Sequence, residues 1–433
     1  MPARTTALSA LIACRKQNAW SDGILKDYIA RDGLDRRDAA LASRLCYGVL
    51  QNRLLLDFYI ASFLHGKLRD LQPVVLDILR LGVYQLTMTD RIPASAAVNE
   101  AVEQGKKYAG KQASGLINGV LRAVSRAEKL PEPKDLATKY SHSPELVSLL
   151  RENVGENLLE PLLNSHNEAP ETALQVNPLR CTAQQAMDAL EAIGASPRLH
   201  PWMSGCILVS GTGNLEQTEL FRSGMVYAQD PAAKLAVLAA APQPGMDVLD
   251  CCAAPGGKSF ASALAMRNCG SILSCDLHAG KLKLIESGAS RLGISVIRTM
   301  ERDARETVPE WENRFDLVLA DVPCSGLGVI RKKPEIRYKD LGALEALPSL
   351  QLAILESVCR CVKPGGTLLY STCTILRREN EAVAERFLAL HPEFSAEGFS
   401  LPDGSDAPDG MRTLLPCTDG TDGFFICKLR KHS

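Results

Sequence analysis

The 433-residue sequence predicts a chain of three parts: an all-α segment, a small α+β module and an open α/β domain with a mostly parallel sheet. Three observations lead to this prediction. The chain is longer than the roughly 100–200 residues of one domain. Apolar residues recur at helical spacing through residues 1–130, and from Gly245 onward short apolar runs alternate with helical stretches. We place the domain boundaries at 1–130, 141–225 and 226–433.

The first part is predicted to be helical throughout. Apolar side chains recur three or four residues apart, for example in residues 41–50 and 74–79. Residues 4–14 resemble a signal segment with a lipidation cysteine, but the apolar stretch is short and basic residues follow it at once. An amphipathic first helix is therefore expected there. The prolines in residues 131–133 end the helical pattern and predict a linker.

The composition is that of an ordinary globular chain, with 46% hydrophobic and 23% charged residues. No apolar run approaches the ~18 residues that span a bilayer. The 14 cysteines include no C-x-x-C pair, and the 7 histidines show no metal-type spacing. We therefore expect a cytoplasmic protein without a membrane segment or a metal site, in which most cysteines stay reduced and buried.

Charge is distributed unevenly, although the formal net charge is only −1. Residues 1–130 hold 19 Lys and Arg against 12 Asp and Glu, a balance of +7, so the rest of the chain carries −8. A basic segment joined to an acidic one is typical of a first domain that meets a polyanion. A solvated charged surface is the alternative, and charge alone does not separate the two.

The remaining elements follow from apolar patterning. In the middle module we predict helices at 144–150 and 184–193 and strands at 173–176 and 206–210. In the third part we predict strands at 247–250, 271–276, 296–300, 315–321 and 366–372, and helices at 258–267, 279–292, 343–362 and 379–390. Strands separated by helices imply crossover connections and a parallel sheet, which binds ligands beyond the carboxyl ends of its strands.

A glycine-containing turn, CCAAPGGKS at residues 251–259, follows the first of these strands. Its small residues allow the backbone to approach a ligand closely. The ending GKS is similar to a phosphate-binding loop, but Cys252 stands where that loop needs glycine and Pro255 lacks a backbone donor. The dinucleotide pattern G-x-G-x-x-G is also absent. The turn therefore predicts a nucleoside ligand whose binding does not depend on phosphate groups.

Acidic residues follow three successive strands of this predicted sheet: Asp250, Asp276 and Asp303. We expect Asp276 to accept hydrogen bonds from ribose hydroxyls and Asp303 to lie within reach of an adenine edge. Three carboxylates suit a nucleoside whose other end is cationic, and S-adenosylmethionine fits that description. The alternative is that Asp276 and Asp303 only cap turns or helices, as aspartate often does.

Two cysteines, Cys324 and Cys373, each lie just past a predicted strand on the presumed ligand side. A thiolate is required to methylate C5 of cytosine, which is too poor a nucleophile to take a methyl group directly. Thiolate addition to C6 makes C5 reactive, and an acid such as Asp321 can stabilise the adduct. Because a stacked base shields these atoms, the target must be splayed out or single-stranded. An inert buried thiol is the alternative for each cysteine.

The chain resembles the bacterial small-subunit (16S) rRNA cytosine-5 methyltransferases over nearly its whole length. The resemblance rests on DVLDCCAAPGGKS, on DVPCSGLG followed by IRKKPEIR, and on VKPGGTLLYSTCT followed by ENE. It implies a Rossmann-like catalytic domain. Residues 1–130 resemble the antitermination-factor-like (NusB-like) helical RNA-binding domain that is fused to this enzyme.

The resemblance also implies roles for particular residues. Cys373 would be the nucleophile, and Cys324 would assist product release. DNA cytosine-5 methyltransferases use the proline–cysteine thiol as nucleophile and lack the second cysteine, so Cys373 indicates the RNA subclass. Cofactor contacts carry over to Cys252, Ala253, Ala254, Pro255, Gly256, Gly257 and Lys258, and to Asp276, Asp303 and Asp321. Ser259 stands where threonine is common in the family.

Basic residues after the Cys324 loop are expected to contact RNA phosphates: Arg331, Lys332, Lys333 and Arg337. The expected partner is 16S rRNA, unassembled or at an early stage of assembly, and the expected state is a monomer. Two other functions remain open at this point: a tRNA cytosine-5 methyltransferase, and a non-catalytic RNA-binding factor in ribosome assembly. A nicotinamide-dependent oxidoreductase is disfavoured by the missing dinucleotide pattern.

Overall fold

The computed structural model describes residues 2–17 and 21–433, and the chain divides into two compact units. The helical unit contains the chain up to Glu168 together with the segment Ile330–Lys339. The sheet unit contains Ala169–Val329 and Asp340–Ser433. The chain therefore leaves the sheet unit after Val329 and returns to it at Asp340.

Within its described residues, the helical unit is built of helices, as predicted. Their bounds are α1 Pro2–Gln17, α2 Ser21–Arg31, α3 Arg36–Gln51, α4 Arg53–Phe63, α5 Pro73–Met88, α6 Ala94–Ala109, α7 Lys111–Arg126, α8 Leu136–Tyr140, α9 Pro144–Val154 and α10 Glu156–Ser165. The apolar stripes predicted from the sequence form the core, where Leu8, Leu45, Ile78 and Leu79 are fully buried. The first helix is confirmed, but it is buried around most of its circumference, Arg4 and Thr6 included, so the prediction that it is amphipathic is wrong.

Local capping residues explain where several of these helices begin. The side chain of Asp35 accepts a hydrogen bond from the Asp38 amide at the start of α3, and Ser143 does the same for Leu146 in α9. Pro144 occupies the first turn of α9, where its missing N–H costs nothing. Such short-range signals are visible in the sequence.

The sheet unit begins with the small α+β module. Its elements are β1 Thr172–Val176, α11 Ala183–Ala192, β2 Ser196–Leu199, β3 Cys206–Ser210, α12 Glu219–Arg222 and β4 Val226–Ala228. The four strands form an antiparallel sheet in the order β2-β3-β1-β4. A capping box of Thr182 and Gln185 begins α11.

The main sheet has eight strands and carries the candidate site. The elements are α13 Pro231–Ala240, β5 Asp247–Asp250, α14 Gly257–Ala265, β6 Ser271–Asp276, α15 Ala279–Leu292, β7 Ile297–Glu301, β8 Phe315–Asp321, α16 Leu347–Val358, β9 Val362–Thr372, α17 Glu381–Leu390, β10 Phe394–Ala396, β11 Phe399–Ser400, β12 Asp406–Ala407, β13 Met411–Leu414, α18 Pro416–Asp419 and β14 Phe424–Lys431. The strand order is β10-β14-β9-β8-β5-β6-β7, and β13 pairs with β14. β11 and β12 pair only with each other.

The strands from β9 through β7 in this order run parallel. β14 pairs antiparallel with β9, and β10 and β13 each pair antiparallel with β14. The central strands are apolar on both faces, and Leu249, Val318 and Leu368 are fully buried. This burial explains the continuous apolar runs in the sequence, because helices cover both faces of a parallel sheet. The mostly parallel α/β domain is thus confirmed, with its carboxyl ends on one edge.

The division of the chain differs from the predicted boundaries in three places. Residues 141–168 belong to the helical unit, where α8 packs on α4 and the Leu54 amide donates to the Ser141 hydroxyl at 2.8 Å. The α+β module belongs to the sheet unit, where Asn177 Nδ2 links it to the end of α15 by donating to the Leu292 carbonyl oxygen at 2.8 Å. The third difference is the segment Ile330–Lys339.

One strand is longer than predicted. β9 begins at Val362, four residues before the predicted start, and Lys363–Gly366 is accommodated by an irregularity in its pairing with β8. None of the described helices is both long enough and apolar enough to cross a bilayer.

Candidate active site

The glycine-containing turn joins β5 to α14 and brings backbone to the carboxyl edge of the sheet. Gly256 has φ +111°, and a Cβ at this position would lie 2.6 Å from the Phe260 ring. Glycine is therefore required at 256 both by conformation and by space. The Ala253 amide donates to the Cys275 carbonyl oxygen at 2.7 Å and ties the turn to β6.

A cavity of about 170 Å³ opens beside this turn. Its lining includes Cys252, Ala253, Ala254, Pro255, Gly257, Lys258, Asp250, Asp321 and Gln229. Two acceptor atoms at this cavity, Asp250 Oδ1 and Gln229 Oε1, are buried and have no hydrogen-bond partner within the described chain. The cavity therefore combines small side chains, two carboxyl groups and unused acceptors.

Asp321 ends β8 and is fixed by two neighbours. Lys258 Nζ donates to Asp321 Oδ2 at 2.7 Å, and the Ser371 hydroxyl donates to Oδ1 at 2.9 Å. Ser371 lies directly opposite Asp321 in the pairing of β8 with β9. Because both carboxylate oxygens are engaged, the side chain has a defined orientation at the edge of the cavity.

Asp250 is fully buried at the end of β5. Its Oδ2 accepts a hydrogen bond of 2.7 Å from the Ser259 hydroxyl, which also lies 2.7 Å from the Ser274 hydroxyl. Burial raises the pKa of Asp250 to about 7, and the Ser259 hydrogen bond opposes this rise.

Asp276 contacts the turn, whereas Asp303 does not line the cavity. Asp276 Oδ2 accepts from the Ala254 amide at 3.3 Å, and its Oδ1 accepts from the His278 amide at 3.1 Å. Asp303 accepts from the Arg305 amide at 2.9 Å and forms an ion pair with the Arg305 guanidinium. These hydrogen bonds lower the pKa of Asp303 to about 2. Both aspartates therefore make the local capping contacts that the alternative interpretation predicted. Asp276 also holds the glycine-containing turn through the Ala254 amide.

The two predicted cysteines lie together. Cys324 follows β8 and Cys373 follows β9, and their sulfur atoms are 3.3 Å apart. Both side chains are partly exposed. The Gly328 amide donates to the Cys373 carbonyl oxygen at 3.0 Å, so the loops that carry the thiols are also joined by backbone. Contact with the Cys373 sulfur and burial raise the pKa of Cys324 well above its usual value.

A buried glutamate fixes the Cys324 loop, and sequence reasoning from the residues did not find it. Glu379 is fully buried, and its Oε2 accepts from the Ser325 amide at 2.9 Å and from Gln351 Nε2 at 3.0 Å. Gln351 Nε2 also lies 3.1 Å from the Pro323 carbonyl oxygen. Its only signal in the sequence was the ENE triplet at residues 379–381, which is one of the motifs on which the family resemblance rests.

The Cys373 loop has its own support from the next residue of that triplet. Asn380 Nδ2 donates to the Thr374 carbonyl oxygen at 3.0 Å, and the Thr372 hydroxyl donates to Asn380 Oδ1 at 2.6 Å. The Ser325 and Thr374 hydroxyls are 2.7 Å apart and link the two loops. The thiol pair is therefore held by a continuous set of buried hydrogen bonds.

The basic residues predicted to bind RNA lie in Ile330–Lys339, within the helical unit. Lys333 is exposed, and Arg331 and Lys332 are partly exposed. Arg337 is fully buried, and its guanidinium donates to neutral oxygens inside the helical unit. The prediction that Arg337 contacts RNA is wrong, because a guanidinium without solvent exposure cannot meet a phosphate.

No group of three or more His, Cys, Asp or Glu side chains in residues 2–17 and 21–433 is arranged to hold a metal ion. The site instead combines a glycine turn, a carboxyl-lined cavity and a thiol pair at the carboxyl edge of a mixed α/β sheet. These are the features that the sequence predicted for a methyltransferase that carries a helical domain at its start.

Comparison with known proteins defines the family. A model described as "16S rRNA methyltransferase RsmB/F" matches residues 237–430, and the NusB family model matches residues 1–126. The chain belongs to the RsmB/F family of 16S rRNA methyltransferases, with a NusB-type helical domain at its start.

Three similar proteins illustrate the extent of the likeness. The probable ribosomal RNA small subunit methyltransferase B of Bacillus subtilis is 38% identical over 99% of this chain and 98% of its own. The ribosomal RNA small subunit methyltransferase B of Vibrio cholerae is 33% identical over 93% of this chain and 92% of its own. The crystal structure of PH0851 covers 100% of this chain and 99% of its own, with a TM-score of 0.85 and 26% identity.

Proposed function

We propose that the protein transfers a methyl group from S-adenosylmethionine to C5 of one cytidine in 16S rRNA, through a covalent bond between Cys373 and C6 of the base. The observation that carries the proposal is the thiol pair. Two sulfur atoms 3.3 Å apart lie past the ends of β8 and β9, and the oriented carboxylate of Asp321 ends β8. Membership of an rRNA methyltransferase family supports the reaction class.

The residues at the cavity fit the proposed cofactor. Asp250 and Asp321 offer carboxyl groups to a cationic ligand, and the small residues of Cys252–Lys258 let backbone approach it. Asp276 braces this turn through the Ala254 amide. The cofactor supplies, when bound, a methyl group on a sulfonium centre. A contact of Asp303 with the adenine edge remains part of the proposal, although Arg305 already engages that carboxylate.

Cys373 provides the nucleophile, and Asp321 and Cys324 assist it. Addition of the deprotonated Cys373 sulfur to C6 makes C5 reactive. C5 would then take the methyl group as the bond between that group and the sulfonium sulfur breaks. A base would remove the C5 proton, and the bond between C6 and the Cys373 sulfur would break to release the product. The Asp321 carboxyl group, held by Lys258 and Ser371, would stabilise the adduct beside N3 or the exocyclic amine of the base. Because its pKa is raised, Cys324 keeps its proton at neutral pH. Its S–H can donate to the Cys373 sulfur before attack and again as that sulfur departs.

The helical unit and the exposed basic residues would hold the RNA. Arg331, Lys332 and Lys333 are the proposed phosphate contacts, so binding should weaken as salt rises. The target cytidine must be unstacked to reach the thiols, which favours unassembled or early-assembly 16S rRNA. We propose that the protein acts as a monomer in the cytoplasm; its relatives in Bacillus subtilis and Vibrio cholerae are named as methyltransferases of small-subunit ribosomal RNA.

The test is transfer of labelled methyl groups from the cofactor to undermethylated 16S rRNA. Wild type should form 5-methylcytidine, Cys373→Ala should form none, and Cys324→Ala should accumulate a protein–RNA adduct. Cys359→Ala is the matched control, because this thiol is buried directly after α16 and does not line the cavity, so its loss should leave transfer unchanged. Equal activity in Cys373→Ala would overturn the nucleophile, and transfer only to tRNA would overturn the substrate.

A further inference from the structure

Arg337 makes an unusual set of contacts for a buried arginine. Its guanidinium donates to the carbonyl oxygens of Gln51 at 2.8 Å, Tyr140 at 3.1 Å and His166 at 2.5 Å, and to Asn167 Oδ1 at 2.6 Å. None of these four acceptors is a carboxylate. A buried charge surrounded by neutral groups is costly unless its environment compensates it.

The compensation comes from helix ends. Gln51 is the last residue of α3, Tyr140 is the last residue of α8, and His166 directly follows α10. The final carbonyl groups of a helix lack intrahelical partners and carry the negative end of its dipole. Arg337 therefore donates to carbonyl groups at the ends of three helices at once, and three dipole ends favour its positive charge. The Tyr140 carbonyl oxygen also lies 2.8 Å from His142 Nδ1, and the His166 carbonyl oxygen also accepts from Gln51 Nε2 at 3.2 Å.

Neighbouring residues of the segment Ile330–Lys339 strengthen this attachment. The Tyr338 hydroxyl donates to the Leu50 carbonyl oxygen at 3.1 Å, and the Arg53 guanidinium lies 3.5 Å from the centre of the Tyr338 ring. Glu335 accepts a hydrogen bond of 2.6 Å from the Ser21 amide. The part of the segment from Glu335 to Tyr338 is thus held to the helical unit by several contacts.

We propose that Arg337 is a positioning residue for the reaction: it clamps Ile330–Lys339 onto the helical unit and so couples RNA capture by that unit to the Cys324 loop. The segment follows that loop in the chain, and it carries the proposed phosphate contacts Arg331–Lys333 between the thiol and the clamp. This inference rests on the proposed methyl transfer to 16S rRNA. In this proposal Arg337 acts by positioning other residues and does not itself contact RNA.

The test compares Arg337→Met and Arg337→Lys with wild type. Hydrogen exchange of the amides in 330–339 reports on the clamp, cofactor affinity reports on the sheet unit, and kcat/KM for 16S rRNA reports on coupling. In Arg337→Met we expect faster exchange in 330–339, cofactor affinity within about twofold of wild type, and kcat/KM lower by about tenfold or more, mainly through KM. Arg337→Lys keeps the positive charge but lacks the planar, forked set of guanidinium donors, so it should retain part of the kcat/KM that Arg337→Met loses.

Arg386→Met is the matched control, since Arg386 is an exposed arginine on α17 and should leave all three readouts unchanged. Unchanged exchange in Arg337→Met would overturn the clamp, and faster exchange with unchanged kcat/KM would overturn the coupling. If Arg337→Met does not fold, the same readouts in Arg337→Lys decide. Failure of the proposed function would appear already in wild type as absence of methyl transfer, whereas failure of this inference appears only in the variants.

Discussion

The buried carboxyl group of Asp250 should make the stability of the protein depend on pH. The side chain is fully buried, and only one of its oxygens has a hydrogen-bond partner within the described chain. Burial raises the pKa of Asp250 from 3.8 to about 7, against the hydrogen bond from Ser259. The folded protein therefore binds this proton more tightly than the unfolded chain does.

The sign and size of the effect follow from that difference in pKa. Stability linked to a raised pKa is fully present below about pH 4 and is lost as pH rises to about 7. At about 1.4 kcal/mol per pKa unit, the whole change is on the order of 4 kcal/mol. Between about pH 5.5 and pH 8 it amounts to about 2 kcal/mol. Asp250→Asn removes the titrating group and with it this part of the pH dependence.

Urea denaturation at about pH 5.5 and pH 8 measures the free energy of unfolding of wild type and Asp250→Asn. From about pH 5.5 to pH 8 the free energy of unfolding of wild type should fall by about 2 kcal/mol more than that of Asp250→Asn. Asp303→Asn is the control, because the pKa of Asp303 is lowered to about 2 and its contribution is constant over this range. A difference between Asp250→Asn and wild type that is the same at both pH values would refute the reasoning.

Two further substitutions test the turn and the thiol loop. Gly256→Ala places a side chain at a residue with positive φ and against the Phe260 ring. Cofactor affinity, measured by equilibrium dialysis, should therefore fall by about tenfold or more. Gly280→Ala is the control and should bind the cofactor normally, because open space surrounds Gly280. Glu379→Ala leaves the buried Ser325 amide without its acceptor and removes one of the two acceptors of Gln351 Nε2, the other being the Pro323 carbonyl oxygen, at about 1–3 kcal/mol for each lost hydrogen bond. Urea denaturation should show a loss of about 2–6 kcal/mol, and a smaller loss for Glu379→Gln, which keeps one acceptor. Unchanged stability of Glu379→Ala would contradict the role given to this carboxyl group.

Local patterns in the sequence predicted most of the elements that build the site. The strands Asp247–Asp250, Ser271–Asp276 and Phe315–Asp321 occur at their predicted positions. Because carboxyl ends of parallel strands share an edge, Cys324 and Cys373 were expected on the same side of the sheet. Their separation of 3.3 Å required more: β8 and β9 had to be neighbours, and strand order is not encoded in apolar periodicity.

The sequence did not predict features that depend on contacts between distant residues. Arg337 stands in a basic stretch with Lys332 and Lys333, and nothing in that pattern separates a buried cation from exposed ones. Its role follows from three helix ends that lie far away in the chain. Residues 141–168, expected in the α+β module, lie in the compact helical unit, because helical patterning shows which face is buried and not which partner buries it.

The central claim is that the sulfur of Cys373 bonds to C6 of a cytidine during the reaction. The most direct measurement is peptide mass spectrometry of the adduct that Cys324→Ala forms with 16S rRNA after nuclease digestion. The account predicts a nucleotide attached to the peptide that contains Cys373, and no adduct in the double variant Cys324→Ala, Cys373→Ala. A nucleotide attached to any other residue, or an adduct that persists in the double variant, would contradict it.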